Sequence, residues 1–179
     1  GRGMLKMATG TGKTKTAMIA ATQLSQVLRR REDPLVVLIV APLQHLVDQW
    51  ISEVEDFGVR PIAVYESSAT WLPLVEEQLA AARLGRRPVV ALVATNSSFA
   101  GERFQSILQR MTLPLLVIAD EAHNLGSVAY RSSLPDNAAY RLALSATPER
   151  WFDEEGTDAL VDYFGDVVFE LDMEHAIEM

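Results

Sequence analysis

Uninterrupted runs of apolar residues recur along the chain and alternate with longer stretches in which apolar and polar residues mix. The longest runs cover residues 35–41, 89–94 and 115–119. A strand that is apolar on both sides must be buried on both faces, so these runs predict strands of a parallel sheet. Shorter runs predict further strands at residues 3–7, 62–65, 141–145 and 167–171.

The stretches between the predicted strands carry apolar residues at helical spacing. The clearest is residues 14–31, with apolar side chains at Ala17, Ala20, Ala21, Leu24, Val27 and Leu28. Glycine and proline signals bound similar helices at 44–57, 71–84 and 102–111, and we expect Thr70 to cap the third. Alternating strands and helices predict a doubly wound α/β domain, with helices on both faces of a mainly parallel sheet.

The composition is that of a globular domain. The 179 residues are 49% hydrophobic and 22% charged, which is enough for a full hydrophobic core. The chain has no cysteine, so it holds no disulfide and no cysteine-ligated metal. It shows neither a signal peptide nor an apolar run that could span a bilayer. We therefore expect a cytoplasmic protein with no membrane partner.

The net charge is −8, whereas a dedicated nucleic-acid-binding module usually carries a basic stripe. A motor domain can instead hold a phosphate backbone with main-chain amides and hydroxyl groups from a few loops. The charge therefore lowers the affinity for nucleic acid that we expect of these residues alone, without excluding a motor.

A glycine-rich loop links the first predicted strand to the first predicted helix. Gly10 and Gly12 allow successive N–H groups to face one anion. Lys13 can reach the outer phosphates of a nucleotide, and Thr14 can offer its hydroxyl to Mg²⁺. The residues predicted to bind the nucleotide are Thr9, Gly10, Thr11, Gly12, Lys13 and Thr14. A strict phosphate-loop pattern has glycine at the position of Met7, so a glycine-rich turn without a ligand stays the alternative.

An acidic pair follows the apolar run 115–119. Asp120 and Glu121 come at the carboxyl end of a predicted parallel strand, where open α/β sheets bind their ligands. Asp120 can hold Mg²⁺, and Glu121 can accept a proton from an attacking water. The alternative is a helix N-terminus that is rich in acidic residues.

Three motifs occur in an order that resembles a known superfamily. Gly-Thr-Gly-Lys-Thr at 10–14, Asp-Glu-Ala-His at 120–123 and Ser-Ala-Thr-Pro at 145–148 resemble motifs I, II and III of superfamily-two helicases of the DEAH-box type. Residues 41–50 resemble motif Ia with its helix, and residues 94–98 resemble motif Ib. That superfamily often has Ala or Met at the position of Met7. The resemblance implies a RecA-like P-loop domain that binds ATP and Mg²⁺.

The resemblance also implies roles for single residues. Lys13, Asp120, Glu121 and His123 would form the catalytic set, with Glu121 as the general base and Thr14 and Asp120 as Mg²⁺ ligands. Nucleotide state would be coupled to nucleic-acid binding through His123, Ser145, Ala146 and Thr147. Contacts to a nucleic-acid backbone would come from Pro42, Leu43, Thr95 and Asn96. Many relatives have threonine at the position of Leu43, so one phosphate contact is in doubt.

The same resemblance divides the chain. Residues 1–165 would be the first RecA-like ATP-binding motor domain, and residues 166–179 the last strand and the start of a linker to a second motor domain. The glutamine that reads adenine and the second domain with its arginine fingers would lie outside the printed residues. Since such an arginine can contribute roughly 10³-fold or more in turnover, we expect the 179 residues alone to hydrolyse ATP negligibly.

Three segments together, residues 3–7, 45–50 and 145–157, are similar to helicase-like subunits of bacterial DNA restriction systems. We therefore predict the ATP-binding half of a DNA-dependent ATPase, a helicase or translocase of DNA restriction or repair, with restriction-system subunits as candidate partners. An RNA helicase and a P-loop switch or interaction module without motor activity stay open. A stand-alone kinase or a GTPase fits less well, because no lid or guanine-reading motif is present.

Two tryptophans could stack on bases or pack in the core. Trp50 lies on an amphipathic stretch with Leu46 and Val54, so we expect core packing. His45 and His175 have no neighbouring ligand at metal spacing, so neither is predicted to bind a metal.

Overall fold

The structure, a computed structural model, describes residues 1–8, 10–146 and 154–171. Three residues named above, Thr9, Thr147 and His175, lie outside the described residues, as does the predicted linker after residue 171.

Seven strands form one sheet. They are β1 (Arg2–Met7), β2 (Leu35–Ala41), β3 (Ile62–Val64), β4 (Val89–Thr95), β5 (Leu115–Ala119), β6 (Tyr140–Ser145) and β7 (Val167–Leu171). Their order across the sheet is β3-β4-β2-β5-β6-β1-β7, and every neighbouring pair is parallel. The carboxyl ends of the strands therefore meet at one edge of the sheet.

The helices between the strands are α1 (Lys13–Arg29), α2 (Gln44–Asp56), α3 (Ser68–Arg83), α4 (Asn96–Phe99), α5 (Glu102–Gln109), α6 (Val128–Arg131) and α7 (Glu154–Phe164). A short 3-10 helix, Ala122–Gly126, follows β5. The architecture confirms the predicted RecA-like fold with a parallel sheet.

The core lies on both faces of the sheet because alternate residues of each strand point to opposite sides. On β2, Leu38 and Val40 pack into one apolar cluster, which contains Phe99, Phe104 and Phe164. Val37 and Ile39 pack into the other cluster, against α1 and α2. All seven residues of β2 are buried, which explains why this strand reads as a continuous apolar run.

The third helix begins earlier than the sequence predicted. Ser67, rather than Thr70, is the residue before α3, and the Ser67 carbonyl already accepts a hydrogen bond from the Thr70 N–H at 3.0 Å. The prediction of Thr70 as the cap is therefore wrong: the first turn closes on Ser67, and Thr70 lies inside it. The 3-10 helix and α4 and α6, at four or five residues each, are too short to show a helical period.

Replacing Leu38 by alanine tests the central role of β2. Leu38 is 0% exposed, so Leu38→Ala should cost roughly 2–5 kcal/mol of unfolding free energy through lost burial and a residual cavity. Leu84→Ala is the matched control, because Leu84 is 67% exposed and should change stability by about 0.5 kcal/mol or less. Urea unfolding of both variants measures the difference, and equal losses would contradict this account of the core.

Candidate functional site

The sheet edge divides the predicted site residues into two groups. Strands β5, β6 and β1 are neighbours, and their carboxyl ends lead into Asp120, Ser145 and the glycine-rich loop. Strands β3, β4 and β2 are also neighbours: Thr95 is the last residue of β4, and Pro42 directly follows β2. Motifs separated by up to 130 residues in sequence therefore come together, as expected at the ligand-binding edge of an open α/β sheet.

The glycine-rich loop has the backbone shape that a phosphate site requires. Gly10 and Gly12 have φ of 83° and 90°, in the left-handed region that favours glycine. A Cβ added at either position would meet no atom within 4 Å, so the space in front of the loop is open. The Thr11 hydroxyl donates to the Ala8 carbonyl at 2.7 Å and closes the start of the loop.

Lys13 and Thr14 are the first residues of α1, where the helix N-terminus carries partial positive charge. The Lys13 ammonium lies 3.4 Å from Glu121 Oε1, and the lysine side chain is only 10% exposed. This ion pair joins the glycine-rich loop to the acidic pair after β5. A phosphate that reached Lys13 would therefore arrive next to the predicted general base.

Both carboxylate oxygens of Asp120 accept hydrogen bonds. Oδ1 accepts from the backbone N–H of Glu121 at 3.0 Å, and Oδ2 accepts from the indole N–H of Trp50 at 2.8 Å. Burial raises the pKa of the Asp120 carboxyl above its ordinary value, and the bond from Trp50 is the strongest influence that opposes the rise. The carboxylate is thus partly desolvated and fixed in orientation.

The oxygen donors at this site fit Mg²⁺. Within residues 1–8, 10–146 and 154–171, no three His, Cys, Asp or Glu side chains cluster so that they could hold a metal by themselves. A Mg²⁺ ion that keeps several waters and takes one carboxylate, a hydroxyl and phosphate oxygens needs no such cluster. Asp120 and Thr14 are the residues that could supply the protein ligands.

Glu121 has an unusual backbone. Its φ of 46° and ψ of 51° place a non-glycine residue in the left-handed region. The Glu121 carbonyl accepts from both the backbone N–H and the side-chain amide of Asn124, each at 3.0 Å. These two bonds hold the strained conformation, which turns the chain directly after β5.

Asn124 also determines which nitrogen of His123 carries the proton. Its Nδ2 faces the Glu121 carbonyl, which can only accept, so that atom must be the amide nitrogen. The same nitrogen lies 3.2 Å from His123 Nε2, which must then be the acceptor. In the neutral ring this contact assigns the proton to Nδ1, which lies 3.4 Å from Ser145 Oγ and 3.5 Å from Glu121 Oε2.

His123 thus stands between the acidic pair and the end of β6. Ser145 is buried at that end, and Ala146 follows it. The geometry links His123 and Ser145, two of the predicted coupling residues, while the continuation at Thr147 lies beyond the described part of the chain.

A cleft of about 720 Å³ lies along the other half of the sheet edge. It is lined by Pro42, Leu43, Gln44, Tyr65, Glu66, Ser68, Trp71, Thr95, Ser97, Ser98, Gly101, Glu102, Arg103 and Phe104. Three of the four predicted nucleic-acid contacts are in this set. The fourth, Asn96, is 4% exposed and does not line the cleft.

The cleft is lined by apolar, uncharged polar and charged side chains, and the charged ones among them are Glu66, Glu102 and Arg103. The Thr95 hydroxyl accepts from the Ser98 N–H at 3.2 Å and lies 3.1 Å from Ser97 Oγ, so it caps α4. Among the described residues that line the cleft, Arg103 is the one cation, and its guanidinium donates to Ser68. A strand of phosphates would meet hydroxyl groups and this arginine, and it would also meet the carboxylates of Glu66 and Glu102, which repel phosphate.

The sequence analysis did not predict two of the contacts at this site. Trp50 packs in the core as predicted, but its bond to Asp120 joins residues 70 positions apart. Asn124 directly follows the acidic motif, and only the backbone turn at Glu121 brings its amide to two acceptors. Proximity to the motif was the one available hint for Asn124, and Trp50 offered none.

The family comparison agrees with this geometry. Residues 1–150 match the model of the family described as "Type III restriction enzyme, res subunit". The chain belongs to this family. It is a RecA-like domain of superfamily two, as the motifs predicted, and this membership implies nucleotide binding. A search of curated protein sequences gives no match.

Solved structures show the same fold. The chain is similar to the Type ISP restriction-modification enzyme LlaGI, solved as a nuclease-deletion mutant in complex with a DNA substrate mimic (TM-score 0.72, 21% identity). The match covers 99% of this chain and 18% of LlaGI. It is similar to the Hef helicase domain of Pyrococcus furiosus, with a TM-score of 0.62 and 25% identity; the match covers 94% of this chain and 34% of that one. It is also similar to the DEAD-box helicase Mss116 bound to ssRNA and UDP-BeF, with a TM-score of 0.61 and 17% identity; the match covers 96% of this chain and 37% of that one. The chain thus spans between about a fifth and about a third of these proteins.

None of the helices in the described ranges is both long enough and apolar enough to cross a membrane.

Replacing Asn124 by alanine tests the tautomer of His123. Without the amide donor, Nε2 is free to carry the proton, so Asn124→Ala should move His123 from the Nδ1-protonated form toward a mixture. Long-range ¹H–¹⁵N NMR correlations report the two forms directly. Asn137→Ala is the control, because that amide donates to the Leu108 and Met111 carbonyls and not to His123. An unchanged His123 in both variants would contradict the assignment.

Proposed function

We propose that the chain is the ATP-binding half of a nucleic-acid-dependent ATPase motor, a helicase or translocase that works on DNA in a restriction system. The observation that carries this proposal is the convergence of Lys13, Asp120 and Glu121 at one edge of the sheet, with Lys13 and Glu121 3.4 Å apart. Family membership supports the restriction context.

The residues divide the chemistry between them. The N–H groups of the glycine-rich loop and the Lys13 ammonium hold the phosphates of ATP, and Thr14 and Asp120 would hold Mg²⁺. Bound Mg²⁺ would neutralise charge on the phosphate oxygens. Once phosphate has drawn Lys13 away from it, the Glu121 carboxylate takes a proton from water; the water oxygen bonds to the γ-phosphorus, the bond from that phosphorus to the ADP oxygen breaks, and ADP and phosphate are released. His123 lies between Glu121 and Ser145, so it is placed to pass a change at the base to β6.

The cleft beside Thr95 is the proposed track for nucleic acid. Its serine and threonine hydroxyls and Arg103 are groups that commonly bind phosphate oxygens. The acidic chain would bind weakly through this cleft alone, which fits a motor whose second RecA-like domain completes the grip. DNA is favoured over RNA because the family is one of restriction enzymes and because LlaGI was solved with a DNA substrate mimic.

Further parts of the proposal concern the whole protein. We assign residues 1–165 to the first motor domain and residues 166–179 to the last strand and the start of the linker. The partners are the second motor domain and subunits of a restriction system, and the compartment is the cytoplasm. The length of the similar proteins supports the larger assembly, since the chain covers 18–37% of them.

Replacing Glu121 by glutamine tests the motor. In the full-length protein, Glu121→Gln should lower DNA-stimulated ATP turnover by roughly 10²- to 10⁴-fold while ATP still binds, because the amide cannot accept the proton. Turnover is measured with double-stranded DNA, single-stranded DNA and RNA. Glu77→Gln, on the exposed side of α3, is the control and should leave turnover unchanged.

Stimulation by RNA alone would replace DNA as the track and leave the motor intact. Nucleotide binding without stimulation by any of the three nucleic acids would instead support a nucleotide switch.

Replacing Arg103 by alanine tests the cleft. If Arg103 contacts a phosphate, Arg103→Ala should weaken DNA binding equally for all sequences and reduce the slope of log affinity against log salt by about one unit. Arg86→Ala is the control, since Arg86 is exposed in the loop before β4, away from the cleft. Identical salt slopes for the two variants would exclude the cleft as the track.

A further inference from the structure

The Asp120 carboxylate is held by a side chain from the other half of the sheet edge. Trp50 lies on α2 and is 2% exposed, and its indole N–H donates to Asp120 Oδ2 at 2.8 Å. An indole N–H can donate a hydrogen bond but cannot accept one, so Asp120 Oδ2 must be the acceptor. At this distance and burial, the bond is a charge-assisted one in a region of low dielectric.

The orientation of the carboxylate depends on this bond. The other oxygen, Oδ1, accepts from the Glu121 N–H, which belongs to the same backbone turn as Asp120. The bond from Trp50 is the one that ties the side chain to a different element. Without it, Oδ1 would still be held, but the carboxylate could rotate about the bonds of its own side chain.

Helix α2 also borders the cleft. It begins at Gln44, directly after Pro42 and Leu43, and all three residues line the cleft. Farther along the helix, Val47, Trp50 and Val54 form its buried face against the sheet. A rigid helix therefore connects the rim of the cleft to the Asp120 side chain.

Two more bonds fix the position of α2 and its strand. The Asp48 carboxylate on α2 accepts from the Tyr65 hydroxyl after β3, at 2.9 Å. The Asp120 N–H donates to the carbonyl of Val40 on β2, at 2.8 Å. The unit formed by β2, its loop and α2 thus holds both the backbone and the side chain of Asp120.

We propose that Trp50 is a positioning residue that orients the Asp120 carboxylate for Mg²⁺ and links that carboxylate, through α2, to the occupancy of the cleft. The inference rests on the proposed function, because it assumes that Asp120 is a Mg²⁺ ligand and the cleft is the track. Mutation of a group that holds a metal ligand in place typically lowers metal affinity or activity by roughly 10- to 100-fold.

The test replaces Trp50 by phenylalanine, which keeps most of the aromatic packing and removes the donor. The control is Tyr163→Phe, which also removes one buried aromatic donor, here from a bond to the Pro135 carbonyl at 2.9 Å rather than from a bond to Asp120. Thermal melting of the full-length variants shows whether each remains folded.

The first measurement needs no turnover. The affinity for a non-hydrolysable ATP analogue is titrated against free Mg²⁺, and again in EDTA. Trp50→Phe should raise the Mg²⁺ concentration at half-maximal binding by roughly ten-fold or more and leave the affinity in EDTA unchanged. Tyr163→Phe should match the wild type in both conditions. Equal Mg²⁺ requirements in the two variants would overturn the positioning role.

The second measurement is the ratio of ATP turnover with DNA to turnover without it, at saturating Mg²⁺. Trp50→Phe should lower this ratio several-fold relative to Tyr163→Phe, because no hydrogen bond from α2 then fixes the orientation of the Asp120 carboxylate. An unchanged ratio would overturn the link to the cleft. If the wild type itself shows no stimulation by nucleic acid, the proposed function fails, whereas a wild-type response in Trp50→Phe refutes this inference alone.

Discussion

The burial of β2 on both faces is the constraint on which the rest of the structure depends. This strand lies between β4 and β5 in parallel register, with Ala41 opposite Thr95 and Val40 opposite Ala119. Because both faces are covered, a shift in register would move its apolar side chains between two cores that are already filled. The register therefore fixes where Pro42, Thr95 and Asp120 emerge, side by side, at the carboxyl edge.

The parallel order of the strands then separates two tasks along that edge. The ends of β5, β6 and β1 carry the candidate groups for nucleotide chemistry, and the ends of β4 and β2 border the cleft that contains Thr95. The boundary between the two tasks runs between β2 and β5. Trp50 and the Val40 carbonyl cross this boundary to reach Asp120, so the two sites share a rigid connection rather than a flexible loop.

The acidic centre combines burial with strain. Asp120 is desolvated, which raises its pKa, and Glu121 occupies the left-handed region, where a non-glycine backbone is disfavoured. Both costs are offset by specific contacts: the indole N–H of Trp50, the ammonium of Lys13 and the two donors of Asn124. Such local costs are common at functional sites, because they hold reactive groups ready in one arrangement.

Local signals in the sequence, namely apolar periodicity and the glycine-rich loop, were enough to predict the sheet strands, the RecA-like class and the order of the motifs. The candidate roles of Lys13, Thr14, Asp120 and Glu121 came from the same motifs. Strand order, the start of α3 at Ser68, the contact of Asn124 with the His123 ring and the bond from Trp50 became visible only in the folded chain. Each depends on atoms that folding brings together from distant positions or from a local turn. The periodicity of apolar residues reports which face of an element is buried, and it does not report such contacts.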